Sequence, residues 1–404
     1  MKKMLTVFGV LCLVLAISTA AHATNGTNLI GIGPIARSMG GVGIAAPQDA
    51  ISAVFANPAA MCFGAYCPGS EFNFSGTLFM PKVDAKVTQG TSTFDANGDD
   101  KVYAIPAIGI SAPITASPRP LRFGLAAYGV SGLGVDYRNT DLDGTVQGAY
   151  TQLQIMKFAP ALAYQLRDNL SIGLAVHVDY SSLDLRNGSS FGYGVGVQAG
   201  VIYRPTDILS LGLNYVSPQN VEHKNVVAFG GSQDLDLESP QQLGFGAAVT
   251  LFDKLLLEGD VKWLNWSDAK GYKDFDWDDQ WVFALGAQYE VIPKLFLRAG
   301  YNYGKNPVKE HNGWTPAGTT NVQGMGFPDP AYEEMRIIGF PAVVEHHLTA
   351  GIGYEFSPKF ALNLGYVHAF EQNIKESGTG FFGPETLKST LSEDSLDFGL
   401  TWRF

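Results

Sequence analysis

Several residue groupings in this 404-residue chain have the types and spacing that chemistry requires. Gly378-Thr379-Gly380-Phe381-Phe382-Gly383 has the spacing of a dinucleotide-binding turn, but Pro384 follows and no strand–helix unit surrounds it. Asp95-Ala96-Asn97-Gly98-Asp99-Asp100 has the carboxylate density of a calcium loop. It lacks the glycine at the sixth position, and Pro106 stands where the bidentate glutamate belongs, so a hairpin loop fits better. Glu345-His346-His347 opens an alternating segment, which points the two imidazoles to opposite faces. No Gly-x-Ser-x-Gly element occurs and no Ser–His pair stands out, so neither catalysis nor a metal or cofactor is expected. Cys62 and Cys67, separated by four residues, suit a small-loop disulfide in an oxidising compartment; without a nearby histidine they would leave zinc underligated. Arg298 and Lys157 take inward positions on alternating segments. They could anchor a ligand carboxylate, or pair structurally with charges such as Glu258, Asp260 and Lys262, and structural pairing is the first reading of both.

The elements that carry these residues alternate with period two. In Leu170–Tyr180 every even position is apolar or aromatic and every odd one small or polar, and Leu209, Leu211, Leu213 and Tyr215 repeat the scheme, as do Leu396, Phe398, Leu400, Trp402 and Phe404. The opposite face carries Glu258, Asp260, Lys262, Arg298, His177 and Asp179 among glycines, and the apolar face ends repeatedly in aromatic rings. A transmembrane barrel needs that division between lipid outside and a polar lumen, since a charge facing lipid costs roughly 2–4 kcal/mol at the midplane. Fourteen such segments are read between 71 and 404, the third over 121–129, the seventh over 208–224, the eighth over 235–251 and the last over 394–404. Short turns such as Arg167-Asp168-Asn169 and Phe252-Asp253 alternate with long connections, the largest near 304–344. That asymmetry belongs to an all-β, fourteen-stranded antiparallel outer-membrane barrel.

Composition and the amino end agree. Only 16% of residues are charged while 25 Phe, 17 Tyr and 6 Trp accompany 47 Gly, which excludes a disordered chain. A net charge of −11 gives no basic footprint for nucleic acid. Met1-Lys2-Lys3, the apolar run Leu5–Ile17 and Ala21-His22-Ala23 have the layout of a secretory signal, so residues 1–23 are set apart as a signal peptide, and losing two lysines takes the mature chain to −13. No later apolar run reaches the 18 residues of a spanning helix. Residues 24–69 differ from the barrel at 70–404: they are rich in Gly and Ala, poor in charge, and too apolar for a free tail. They are expected to plug the barrel as a small hatch; an exposed leader is the alternative.

Gly40-Gly41-Val42-Gly43, followed by Asp49 to Phe55 and then Asn57-Pro58-Ala59, resembles the amino-terminal hatch of the FadL family of outer-membrane transporters for long-chain fatty acids and other hydrophobic molecules, its TodX-like hydrocarbon members included. The resemblance continues in order through Gly132-Leu133-Gly134-Val135-Asp136-Tyr137, Leu211–Ser217, Asp260–Ser267, Leu297–Tyr301 and Phe340-Pro341-Ala342. It implies a monomeric barrel, inserted by the barrel assembly machinery among outer-membrane lipid and lipopolysaccharide. Ligand would be captured in an extracellular groove, passed inward by a hatch movement and released sideways at a kink in the third strand. Gly129, Gly132 and Gly134, read as following strand three, are the kink candidates, with an ordinary loop as the other reading. Phe55, Phe340, Phe381 and Phe382 are candidate ligand contacts beside Arg298 and Lys157. Long-chain fatty acids are the first expectation, because each buried methylene contributes about 0.8 kcal/mol. Aromatic or alkane hydrocarbons by the same route, or a general porin or surface-binding barrel, are the alternatives.

Overall fold

The computed structural model describes residues 24–404 apart from 65, 66, 68, 99, 100, 116–118, 147, 148, 187, 229 and 230. The signal at 1–23 and two carboxylates of the Asp95–Asp100 loop lie outside the described residues. Fourteen strands form the wall: β1 (Glu71–Gln89), β2 (Tyr103–Pro113), β3 (Leu121–Asp136), β4 (Tyr150–Arg167), β5 (Leu170–Asp184), β6 (Ser189–Tyr203), β7 (Leu209–Val216), β8 (Gln241–Leu251), β9 (Leu255–Asn265), β10 (Gln280–Ile292), β11 (Leu295–Gly304), β12 (His346–Ser357), β13 (Phe360–Gly380) and β14 (Gly383–Arg403). Each pairs antiparallel with its chain neighbours, and β14 closes on β1 from Glu71↔Arg403 to Gln89↔Glu385. Closure removes the free edges that lipid could not satisfy. Two expected boundaries move: 219–239 is not wall but a separate hairpin, Gln219–Ala228 with Ser232–Ser239, and the last strand begins eleven residues earlier than 394.

The period-two pattern acts as expected through the membrane and then inverts. Phe72, Phe74 and Leu78 of β1 and Leu396, Phe398, Leu400 and Trp402 of β14 face outward, while Glu71, Asn73, Ser75 and Asp397 are buried on the lumen side. Farther up the same two strands Val83, Val87, Leu387 and Leu391 are the buried ones, and Lys82, Asp84 and Lys86 are exposed. The inversion occurs between Leu78↔Leu396 and Val83↔Leu391 on the paired strands. It marks the height at which the outer surface passes from lipid to water.

The polar lumen wall is buried because residues 24–63 occupy it. Pro34 starts the short helix α1 (Gly33–Arg37), and the Asp49 carboxylate caps α2 (Ala50–Ala56) by accepting from Ser52 N at 2.9 Å. The irregular backbone between them would be unsatisfied in a dry lumen, and lumen carboxylates supply the acceptors. Asp260 Oδ2 accepts from Gly43 N and Ile44 N at 2.9 and 3.1 Å, and Glu258 Oε1 from Ala45 N and Ala46 N at 2.9 Å each. Arg37 donates to Asp397 and Ser395, both at 2.9 Å. Lumen-facing glycines make the room: a Cβ on Gly300, Gly212 or Gly173 would overlap the backbone of Gly40, Ile44 or Ala59.

The expected Cys62–Cys67 disulfide is not formed. Both are free thiols: Cys62, at the end of the 3-10 turn Pro58–Cys62, directs its sulfur toward Pro120 O at 3.9 Å, whereas Cys67 directs its own to Met61 O at 3.1 Å. Burial, reinforced by the neighbouring Cys67, pushes the Cys62 thiol up to about 12, which keeps it from acting as the attacking thiolate.

Candidate functional site

The wall is interrupted between β2 and β3. β2 pairs with β1 over Tyr103–Ser111, yet β3 accompanies it only from Ala107 to Pro113, so Tyr103–Pro106 have a strand on one side alone. At the same height β3 bulges: Gly129 pairs with Met156 and Ser131 with Ile155, leaving Val130 as the extra residue. Gly129, Gly132 and Gly134 therefore lie within β3 and not after it. A Cβ on Gly129 would overlap Ile105, and one on Gly134 the backbone of Thr151, so both glycines permit the close approach that the bend requires. The backbone edge that β3 turns inward is not left bare. Leu29 N donates to Val130 O at 3.0 Å, Gly132 N to Thr27 O at 3.1 Å, and Ser131 Oγ to Thr27 O at 3.0 Å.

Behind this break lies a cavity of about 330 Å³. Phe79 and Val83 of β1, Ile105 of β2, Leu133 of β3, Ile155 and Met156 of β4, Leu391 of β14, and Leu29 and Pro341 make its apolar wall. Its polar lining is Thr24, Tyr103, Ser131, Gln152, Gln154 and Glu393, with Glu393 the one acidic side chain among the described residues that line it. The volume is at the lower end of the usual ligand-pocket range of about 300–1,000 Å³.

The candidates read from sequence are distributed over three levels. Phe381 and Phe382 form the tip of the β13–β14 hairpin, 54% and 80% exposed, and edge an outer groove of about 410 Å³ with Phe327 and Met335. Phe340 is buried and stacked on Phe275 at 5.5 Å, so its neighbour Pro341, not Phe340, reaches the apolar cavity. Phe55, edge-on to Tyr128 at 5.4 Å, and Lys157 border a much smaller inner space of about 50 Å³ with His177 and Lys262. Lys157 is engaged there, donating to Gln219 Oε1 at 2.6 Å and lying 3.6 Å from Asp179. Arg298 sits near the short β10–β11 turn, donating to Gln288 at 2.6 Å and Asn363 at 2.9 Å. The two cations do not share a pocket, and neither lines the apolar cavity. Nor do Glu258 and Asp260 pair with them, because both carboxylates hold the amino-terminal backbone.

Asn57, Pro58 and Ala59 have a physical reason for their order. The Asn57 amide donates to Ile44 O at 2.8 Å, Val201 O at 3.1 Å and Leu213 O at 3.3 Å, while its Oδ1 accepts from Ala59 N at 3.1 Å. One residue thus closes α2 with its backbone N–H to Ala53 O, and with its side chain opens the 3-10 turn and ties both to β6 and β7. Pro58 fits the first position of that turn, and Ala59 faces Gly173, where a larger residue would not fit.

Over the outer end, the 305–345 connection carries helix α3 (Asp329–Glu334) and a π-helical turn, Met335–Gly339. Buried Arg336 pairs with Glu333 at 2.8 Å and also with Glu376 of β13, so the guanidinium occupies the space between carboxylates that a cation would need. His311 bridges loops: Nδ1 lies 2.8 Å from Glu333 and Nε2 3.0 Å from Asp276, while Lys309 pairs with Asp276 at 2.7 Å and Asp278 at 3.2 Å. Both ring nitrogens facing carboxylates suit the imidazolium. Its pKa is raised, first by the hydrogen bond to Glu333, against partial burial and Arg336. A folded pKa above the unfolded value makes this bridge fully stabilising below about pH 6.5 and weaker as pH rises through the folded value. Amide exchange in 305–345 should therefore quicken as pH rises past neutrality, beyond the intrinsic base-catalysed rate, and His311→Gln should remove that extra dependence. An equal dependence in the variant would assign it to other groups.

A fourteen-stranded closed barrel, lumen occupied by its own amino-terminal residues and wall broken beside an apolar cavity, defines a class of outer-membrane transport protein. A sequence profile described as outer membrane protein transport protein (OMPP1/FadL/TodX) matches residues 11–193 and 181–327, and the chain belongs to that family. Outer membrane protein P1 of Haemophilus influenzae is 22% identical over 87% of this chain and 88% of its own length. The toluene transporter TodX of P. putida has the same fold at a TM-score of 0.65 and 18% identity, covering 93% of this chain and 99% of its own. A Pseudomonas aeruginosa FadL homologue gives a TM-score of 0.67 at 15% identity, over 95% of this chain and 99% of its own. The protein is thus a bacterial outer-membrane barrel of a family that transports hydrophobic compounds across that membrane.

Proposed function

We propose that this chain, acting as a monomer, takes up hydrophobic small molecules that carry no carboxylate. They are gathered at the outer groove by Phe381 and Phe382, pass to the cavity behind the β2–β3 break, and leave sideways into the bilayer. The observation that carries this reading is the largely apolar cavity set directly at the break, with no basic side chain among its described lining residues. A ligand carboxylate placed there would be buried without a cation among the described lining residues to pair it, which is unfavourable. Size agrees, since a dry apolar cavity of about 150 Å³ takes benzene, and about 330 Å³ gives room for a substituted ring. The printed description of TodX as a toluene transporter fits this choice. Residues 24–63 serve as the hatch: held by Asp260, Glu258 and Asp397, they close the lumen, so the sideways exit replaces an aqueous pore.

For long-chain fatty acids, the first expectation from sequence, Arg298 and Lys157 were the candidate carboxylate partners; neither lines the apolar cavity, and the inner space beside Lys157, about 50 Å³, is too small for a chain. The deciding experiment is competition on detergent-purified protein, with toluene against oleate. Toluene should bind and resist displacement by oleate. Tight oleate binding that Lys157→Met abolishes would reverse the choice.

A further inference from the structure

Glu393 has one carboxyl oxygen buried without a hydrogen-bond partner. It faces the lumen from β14 and is 5% exposed. Its ladder partners are Pro81 on β1, which has no N–H, and Ala369 on β13, which has no polar side chain. The next lumen-facing residues of its own strand are Leu391, which is apolar, and Ser395, whose hydroxyl accepts from Arg37 at 2.9 Å. Arg37 is the nearby cation, and its guanidinium is engaged: Nε donates to Asp397 at 2.9 Å and Nη2 to Ser395. Two carboxylates therefore share one guanidinium that bonds only one of them, and Glu393 Oε2 has no hydrogen-bond partner. A buried acceptor without a donor is costly, and costlier in a largely apolar cavity than at a surface.

We infer that Glu393 selects ligands: the cavity takes apolar molecules that carry a hydrogen-bond donor, a hydroxyl or an ammonium, which reaches the Glu393 carboxylate while the apolar body packs against Leu133, Ile155 and Leu391. This rests on the cavity being the ligand site, as proposed above. The placement along the strand supports it. Glu393 pairs with Pro81 between the two levels where the outer surface changes from apolar to polar, so it lies at the height of the outer membrane interface. An amphipathic molecule arriving from the outer leaflet would present its polar group at that height. A hydrocarbon would fill the same cavity but leave the acceptor unpaired, and a carboxylate would bring a second acid into a lining without a cation among its described residues.

The test is a matched series on the purified, detergent-solubilised barrel: toluene, p-cresol, benzylamine and benzoate, bound to the wild type, Glu393→Gln and Glu393→Leu. Heat-modifiable migration on gels checks that each barrel is folded. Because the four compounds partition differently into any apolar space, the quantity read is each compound's affinity relative to toluene, compared between proteins. In Glu393→Leu the p-cresol and benzylamine ratios should each fall by about tenfold, as expected when a buried hydrogen-bond partner is removed. In Glu393→Gln the benzylamine ratio should fall most, because the amide still accepts from a hydroxyl but carries no charge. Benzoate should bind more weakly than toluene to the wild type and gain in both variants. Unchanged ratios in Glu393→Leu and Glu393→Gln would overturn the inference. Leu133→Trp, which fills the cavity, separates the two readings. If it abolishes binding while the Glu393 ratios stay constant, only the donor selection fails; if it leaves all binding intact, the cavity is not the ligand site and both fail.

Discussion

Gly300→Val should give a barrel that conducts ions in a planar bilayer, where the wild type, its lumen filled by residues 24–63, is expected to be nearly silent. Gly300 faces the lumen from β11, and an added Cβ would lie well under 3.0 Å from Gly40 N and the backbone of Met39. Those are backbone atoms, which cannot rotate aside as a side chain would. Two bonds that seat the segment are made beside them, Gly40 N to Thr349 Oγ1 and Asn302 Nδ2 to Gly40 O, both 2.9 Å. Overpacking a tight interior costs about 1–3 kcal/mol when neighbours can adjust, and more is expected here, where backbone opposes backbone. The segment should lift from that side and open a path along a wall lined with Asp260, Glu258 and Asn302. Conductance should rise on the order of tenfold, toward that of an open polar lumen. Gly259→Ala is the control, since its Cβ meets only Leu285 Cδ2 at 3.2 Å on the outer face. Silence in Gly300→Val, with residues 24–63 still protected from protease, would show that the hatch tolerates displacement without opening.

Deleting Val130 should stop uptake while leaving the barrel assembled. Val130 is the one extra residue between Gly129↔Met156 and Ser131↔Ile155. Its removal makes the β3–β4 ladder continuous and keeps Tyr128 and Ser131 on the lumen side, because the bulge already accounts for the change of phase. β3 can then run straight alongside Tyr103–Pro106, and the break is lost. The deletion also takes away Val130 O, the acceptor of Leu29 N, so the amino-terminal segment loses the edge it caps. Transport of a radiolabelled monoaromatic into cells should fall to the level of cells lacking the protein, with heat-modifiable migration unchanged. Continued transport would mean that ligand crosses along the lumen instead, which would sink the sideways exit.

The strand-three glycines show where local reading stopped short. Gly129, Gly132 and Gly134 were visible as a bend signal, but a loop after a nine-residue strand explains the same letters. What distinguishes a bulge from a strand end is whether a partner continues alongside, and that partner, Gln152–Met156 of β4, is some twenty residues away in the chain. Glu258, Asp260, Arg298 and Lys157 show a second limit. Their inward direction follows from alternation, yet whether an inward carboxylate meets a cation or a backbone amide depends on what fills the lumen. Glu393 was missed for another reason. The alternation that identified β14 starts at Leu396, and below that number the apolar residues Leu391 and Leu387 change to the other face. That inversion is itself a sequence signal, a period-two pattern that keeps its period and reverses its phase where the strand leaves lipid.

The sequence by itself determined an exported, fourteen-stranded barrel with an apolar outer face and an amino-terminal segment unlike the rest. Each of these depends on the medium around a strand, and lipid, water and lumen impose their choice of side chain residue by residue. The candidate site is assembled by tertiary structure. Its cavity joins β1 to β4 with β14 and with residues 24–29, which are distant in sequence and meet because closing the sheet sets the last strand beside the first. The same closure leaves Glu393 opposite a proline and an alanine, and the residues that surround it are chosen by register rather than by local pattern.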